Sequence, residues 1–369
     1  MNLKITNHLN FLTRVLRDDV PEGIQLSNAE CDQLISVCKS QGVSAIIYKK
    51  IEHLPCEGNA ATKFKNSLNN EYKIQSLVNM LRQTEEARVL TELKNVDINP
   101  ILLKGAGISQ THYPQAELRE RTDCDLFINL NDIEKTRKLL SKQGYSLGRS
   151  TYRSHQFSVT SNPGRSIYVS FDIHWRISNA PQFAQTINYQ EALLNSIPLS
   201  TPPRALVLNP QYALLLACMH RLGNSNHDKN MLKWIYDIHL LILNMPTREL
   251  ELFTELANKK DLSTVCLDGF ERTQELFHTI IPSSILSSLS QHAATAQKTN
   301  RFRKSQLGLI IDDLKLLPGW TAKYKLIIEH VFPDFEYLLS KYPNKGKAWI
   351  PLLWLHHLGS ALYKRLTLR

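Results

Sequence analysis

The chain has 369 residues and a formal net charge of +10, with 43% apolar and 21% charged side chains. That composition describes a folded, mildly basic globule of two or three domains and excludes a disordered chain or a polybasic tail protein. Its 14 glycines and 16 prolines fall below average usage, which favours a helix-rich chain and disfavours an all-β sandwich. No apolar run reaches the length of a membrane span, and Lys4, Arg14 and Arg17 interrupt the first stretch where a signal peptide would be apolar. A soluble protein without a secretion signal is expected. The six cysteines show no C-x-x-C pair, so reduced thiols in a cytosolic, cytoplasmic protein are expected and a disulfide framework is not.

Residues 1–97 carry no net charge and read as helical, with Leu9, Leu12, Val15 and Leu16, then Leu34, Ile35 and Cys38, then Leu77, Leu81, Val89, Leu90 and Leu93 at helical spacing. Nothing there suggests chemistry. At residue 98 the texture changes. Residues 98–105 form a short apolar run ended by Gly105, a buried strand running into a turn, and a second strand is expected over 124–130. Asn131 then reads as the N-cap of a helix that stops at Gly144. A third strand over 167–177 alternates at period two. After the prolines at 198, 202, 203 and 210, helical periodicity returns, for example over 212–222 and 231–243. The expected division is an N-terminal helical region (1–97), an α/β core (98–197) and a C-terminal helical domain with a basic tail (198–369). The charge excess is local, +4 over 98–180 and +7 over 301–369, so the core reads as a site and the tail as a surface.

Strand alternation puts Asp123 and Asp125 on one face and Cys124, Leu126 and Ile128 on the other. Residues two apart on a strand lie about 6.5 to 7 Å apart at the backbone, close enough to converge on metal ions about 3.5 to 4 Å apart. Hard oxygen ligands suit Mg²⁺. On the third strand Tyr168, Ser170, Asp172 and His174 share the polar face. Three gathered carboxylates repel one another unless a cation sits among them, and Asp172 is also suited to accept a proton from an attacking hydroxyl. Lys104-Gly105-Ala106-Gly107 falls at a strand-to-helix turn, where backbone N–H groups and an ammonium would cradle phosphate. Arg119 and Arg121 add cationic reach toward a triphosphate.

Ordinary readings stand beside these. Asp123 and Asp125 could be a solvated acidic pair, Asp172 an ion-pair partner of Arg121 or Arg176, Lys104 a surface lysine, and His174 either a structural histidine or a group that orients the carboxylate or touches the nucleotide. His220 and Asp237 read as a buried hydrogen bond docking the helical domain on the core, or as the far wall of the pocket. His356 and His357 read as core packing, and the basic end (Lys341, Lys345, Lys347, Lys364, Arg365 and Arg369, near Trp349 and Trp354) as a solvated face.

The series Ile101-Leu-Leu-Lys-Gly105, Arg121-x-Asp123-x-Asp125-Leu and Phe171-Asp172-Ile-His174-Trp175 resembles the uncharacterised nucleotidyltransferase family of the polymerase-β-like superfamily. The likeness covers roughly residues 30 to 365, and only the core motifs are specific. It implies an α+β fold, a small mixed-sheet core flanked by helical domains. It also implies a Mg²⁺-dependent transfer of an NMP to an acceptor hydroxyl, with pyrophosphate released. Asp123, Asp125 and Asp172 would be the catalytic and metal-binding residues, on two Mg²⁺ ions. Lys104, Gly105, Arg121 and His174 would contact the nucleotide, ATP first among the NTPs. The acceptor, a small molecule, peptide or protein, is left open; neither nucleic acid nor membrane is expected as a partner. The superfamily's glycine-serine phosphate loop is replaced here by Lys104-Gly105. Two other readings remain: a non-catalytic nucleotide-binding regulatory or partner-binding module, and nucleic-acid end addition, which would want a longer basic track than this chain shows.

Overall fold

The computed structural model describes residues 3–147, 156–164, 167–180, 182–200, 205–223 and 230–295, and only scattered residues between 314 and 359. Contacts divide the chain into two units, one of Met1–Arg149 with His155–Arg303, the other of Ser150–Ser154 with Lys304–Arg369. Lys341, Lys345, Lys347, Trp349, Lys364, Arg365, Arg369 and His357 lie outside the described residues. In the second unit the helical residues 352–356 bury Leu353 and leave His356 exposed. His356 therefore departs from the core packing expected of it.

The first unit opens with helices α1 (Leu3–Leu16), α2 (Asn28–Gln41) and α3 (Ser44–Ile51), and a short parallel pair, β1 (Ile24–Gln25) with β2 (Cys56–Glu57). Helix α2 is fixed at both ends. Ser27 and Glu30 form a reciprocal capping box, and Gly42 closes the helix in the left-handed conformation at φ 65°. A Cβ on Gly42 would stand 2.6 Å from Lys233 Cδ, so both backbone and neighbour oppose a side chain there. Gly42→Ala is expected to cost about 1 to 3 kcal/mol, read as an earlier urea midpoint; an unchanged midpoint would show that the helix end has another way to close.

Helix α4 (Gly58–Lys94) runs for 37 residues, about 55 Å at 1.5 Å per residue. Its first turns bury Ala61, Phe64 and Leu68 among the N-terminal helices, and its last turns bury Val89, Leu90 and Leu93 beneath the sheet. It ties the two cores together. Between those ends Ile74, Leu77 and Met80 are exposed.

Then come β3 (Ile101–Leu102), α5 (Lys104–Thr111), β4 (Asp123–Phe127), α6 (Ile133–Lys142), β5 (Ser146–Leu147), β6 (Gln156–Gly164) and β7 (Ile167–His174). Helix α7 (Tyr189–Leu194), β8 (Ser196–Pro198) and β9 (Leu206–Leu208) follow. The sheet has seven strands in the order β5-β6-β7-β4-β3-β9-β8. It is mixed: β4 pairs parallel with β7 and β3 parallel with β9, and the other neighbours are antiparallel. The fold is α+β, with the helices flanking this sheet.

Cys124, Leu126, Ile128, Phe157, Val159, Val169, Phe171 and Ile173 form one apolar face, covered by Val89, Leu90 and Leu93 of α4 and Leu140 of α6. Alternation therefore assigns Asp123, Asp125, Asp172 and His174 to the opposite face. The turn into α6 is capped by Asn129, whose side chain accepts from the Asn131 N–H, rather than by Asn131 itself. A 3₁₀ turn over Leu130–Asp132 intervenes and moves the cap two residues back. Gly144, at φ 84°, ends the helix as expected. Helices α8 (Pro210–Gly223), α9 (Leu232–Leu243), α10 (Thr247–Lys259), α11 (Ser263–Phe277) and α12 (Ser283–Thr295) complete the unit and share their core with the N-terminal helices. No helix among the described residues is long and apolar enough to cross a membrane.

Candidate active site

In the parallel pairing of β4 with β7, Asp125 lies opposite Asp172 and Asp123 opposite Ser170. The Asp-x-Asp pair and the third carboxylate thus stand on adjacent strands, with Asp125 and Asp172 side by side. One ligand atom from each of Asp125, Asp172 and His174 can be chosen so that all lie within 4.8 Å of one another; Asp123, one pleat earlier, is not part of that closest set.

Asp125 is the hub. Its Oδ1 accepts from Lys104 Nζ at 2.7 Å and from His174 Nε2 at 2.7 Å. Burial alone would raise the Asp125 pKa, but the Lys104 ammonium and the His174 hydrogen bond hold it well below the carboxylate range. For Lys104 burial acts against the charge, and the Asp125 carboxylate outweighs it, so the ammonium is held above the ordinary lysine value. Burial first and Lys104 second push His174 down. A neutral His174 donates Nε2–H to Asp125, and its Nδ1 has no hydrogen-bond partner among the described residues. The His174 side chain is wholly buried, with Nε2 against Asp125.

Asp172 is held from the neighbouring strand: Gln156 Nε2 donates to Oδ2 at 2.6 Å and Ser158 Oγ to Oδ1 at 2.6 Å. Asp123 has the opposite environment from Asp125. Burial, then the charges of Asp125 and Asp172, push it up to about 6. The donor set nearest one another is two hard carboxylates, Asp125 and Asp172, with the His174 imidazole. The residues present therefore fit a divalent cation.

Lys104 begins α5 with φ 49°, a left-handed conformation that costs a non-glycine residue about 1 to 3 kcal/mol. A left-handed residue followed by right-handed helix turns successive N–H groups toward one point, which is an anion-binding nest. The backbone N–H groups of Lys104 and Gly105 have no backbone acceptor among the described residues. Gly105 also lies against Arg119, whose Cζ would be 3.5 Å from a Cβ placed there.

The two arginines expected to reach a triphosphate are both engaged. Arg121 is buried and pairs through Nη1 with Glu86 of α4. Arg119 forms a bidentate pair with Asp237 of α9, Nε to Oδ1 and Nη2 to Oδ2 at 2.7 Å each, and Tyr113 OH donates to the same Oδ1 at 2.9 Å. Asp237 thereby docks α9 on the segment before β4. His220 packs edge-on against Trp234 at 5.0 Å, and burial, then Lys104, lower its pKa to about 3. It belongs to the helical side of the same region. Gln156, Ser158 and Glu86 carried no sequence signal for this site, because each arrives through strand pairing or helix packing.

An α+β chain whose mixed sheet gathers carboxylates beside a helix-start nest is the class that fold and site define. The profile of the uncharacterised nucleotidyltransferase family matches residues 27–278, from α2 to the end of α11, and the chain belongs to that family. No curated protein and no solved structure matches the chain.

Proposed function

We propose that the chain is a Mg²⁺-dependent nucleotidyltransferase that moves an NMP from an NTP, ATP first among them, to an acceptor hydroxyl and releases pyrophosphate. The observation that carries this reading is the side-by-side register of Asp125 and Asp172 on parallel β4 and β7, with Asp123 one pleat away, in a chain of a nucleotidyltransferase family. Asp123, Asp125 and Asp172 would hold the ions, two in number. Mg²⁺ bound there would neutralise triphosphate charge and charge developing on the reacting oxygens.

The chain's own groups divide the remaining work. The nest at Lys104 and Gly105 donates N–H groups to phosphate oxygens, and the Lys104 ammonium adds charge beside them. His174 keeps Asp125 in one orientation. Gln156 and Ser158 fix Asp172, whose oxygens each accept one hydrogen bond and keep lone pairs free to take the acceptor's proton. The acceptor oxygen then bonds to the α-phosphorus as the bond to the bridging oxygen breaks and pyrophosphate leaves. Positioning and charge neutralisation supply most of the rate.

One observation favours a second reading, a nucleotide-binding module without turnover: Lys104 already neutralises Asp125 at 2.7 Å. Incubation of the protein and a cell extract with each of the four NTPs, labelled in turn at the α- and γ-phosphate, separates the two. The enzyme reading expects α-label on an acceptor, pyrophosphate in solution, no transfer of γ-label, and loss of all transfer in EDTA. Nucleotide binding with no α-label transferred supports the module, and absence of binding removes both.

A further inference from the structure

Three buried guanidinium nitrogens near the start of β4 lack a hydrogen-bond partner among the described residues: Nε of Arg82, and Nε and Nη2 of Arg121. Arg82 lies on α4 one turn before Glu86 and is 4% exposed; Arg121 is 7% exposed. Glu86 takes only Nη1 of Arg121, which also reaches the Asp123 carbonyl at 3.4 Å. Arg82 forms no ion pair among the described residues, and the charges that act on it include Arg121, Glu86 and Asp123. Arg121 thus has Glu86 as its ion-pair partner, while Arg82 has Glu86 and Asp123 acting on it without an ion pair to either.

Buried donors are almost always paired, and a cluster of orphans calls for a missing ion or ligand. A guanidinium beside a like charge also costs stability, and Arg82 has no ion pair among the described residues to offset that cost. Guanidinium N–H groups match tetrahedral oxyanions, and a triphosphate is the anion that the adjacent site would bring.

We propose that Arg82 and the unpaired side of Arg121 form a phosphate subsite for the outer phosphates of the NTP, the portion that leaves as pyrophosphate. The proposal rests on the nucleotidyltransferase reading and adds Arg82 to it as a substrate-binding residue. Held there, the leaving group would be drawn away from the α-phosphorus toward the N-terminal end of β4. The nest at Lys104 and Gly105 would then serve the inner phosphates.

The test is calorimetric titration of wild type, Arg82→Met and Arg82→Lys with three probes: inorganic pyrophosphate, a non-hydrolysable NTP analogue and the matching NMP. Thermal melting of each ligand-free protein accompanies it. Wild type is expected to bind pyrophosphate and the analogue. Arg82→Met is expected to weaken both about 10- to 100-fold, with NMP affinity unchanged and a melting temperature equal to or above wild type. Arg82→Lys, which keeps the charge without the fork, is expected to fall between them. Unchanged affinities in Arg82→Met, or an equal loss for NMP, would overturn the subsite. So would a lowered melting temperature with intact binding, which marks a purely structural arginine. If wild type and Arg82→Met differ on pyrophosphate while neither binds the NTP analogue, the anion pair stands and the nucleotidyltransferase reading falls.

Discussion

Asp125→Asn is expected to lower NMP transfer by about 10²- to 10³-fold while leaving the protein folded. Asparagine keeps the shape of the side chain and one acceptor oxygen, so Lys104 and His174, both now 2.7 Å from Asp125 Oδ1, each retain a polar neighbour. What disappears is the charge at the centre of the cluster. The same change removes one of the two carboxylates that push Asp123 up, and so tests whether these groups act as a set. Asp172→Asn should be comparably severe in turnover if Asp172 serves, as proposed, both as a ligand and as the proton acceptor. Ser158→Ala removes one of two hydrogen bonds to Asp172 and should cost far less. The measurement is the initial rate of pyrophosphate release at saturating NTP and Mg²⁺, with circular dichroism as the control for folding. A loss below threefold in Asp125→Asn would remove this carboxylate from the chemistry.

The face on which each carboxylate stands was legible because alternation is local. Asp123 and Asp125 differ by two positions, Cys124 and Leu126 are buried on the other face, and alternation follows from the pleat. Asp172 emerged in the same way from the apolar residues that flank it. What holds them is not local. Lys104 meets Asp125 across 21 residues, Arg121 meets Glu86 across 35 and Arg119 meets Asp237 across 118, and no periodicity relates such positions. Thus Arg121, read as a free cation, has one nitrogen taken by a helix that showed no chemistry in its sequence.

Strand β6 carries the alternating pattern Gln156, Phe157, Ser158, Val159, with the two apolar residues in the core. Its small polar residues and the Asn162-Pro163-Gly164 end resemble loop composition, which hid both the strand and the two donors it brings to Asp172. The strand expected over 98–105 shrinks to Ile101–Leu102. Burial of Ile98, Ile101, Leu102 and Leu103 accounts for the apolar run without a longer ladder, and Lys104 already belongs to α5.

The largest stability effect is expected at the junction between sheet and C-terminal helices. Asp237→Ala removes the single carboxylate that serves both Arg119, bonded through two nitrogens, and Tyr113. The side chains of Arg119 and Asp237 are each 5% exposed, so water has little access to the cation left behind. Burial works against the Arg119 charge, and Asp237 outweighs it, holding the guanidinium above its ordinary value. Removing one partner of a buried pair costs about 3 to 5 kcal/mol, whereas replacing both with apolar side chains of similar volume is often neutral. Asp237→Ala should therefore lower the unfolding free energy by that amount, and Arg119→Met with Asp237→Leu should recover most of it, a coupling that a double-mutant cycle in urea measures. The damage should reach the site as well, because the Arg119 guanidinium lies against Gly105 at the start of α5. Below its melting temperature, Asp237→Ala is expected to weaken NTP binding while the paired apolar variant binds more nearly as wild type does. A cost under 1 kcal/mol in Asp237→Ala, or a double variant no more stable than the single, would mean that this ion pair does not hold the helical domain on the sheet.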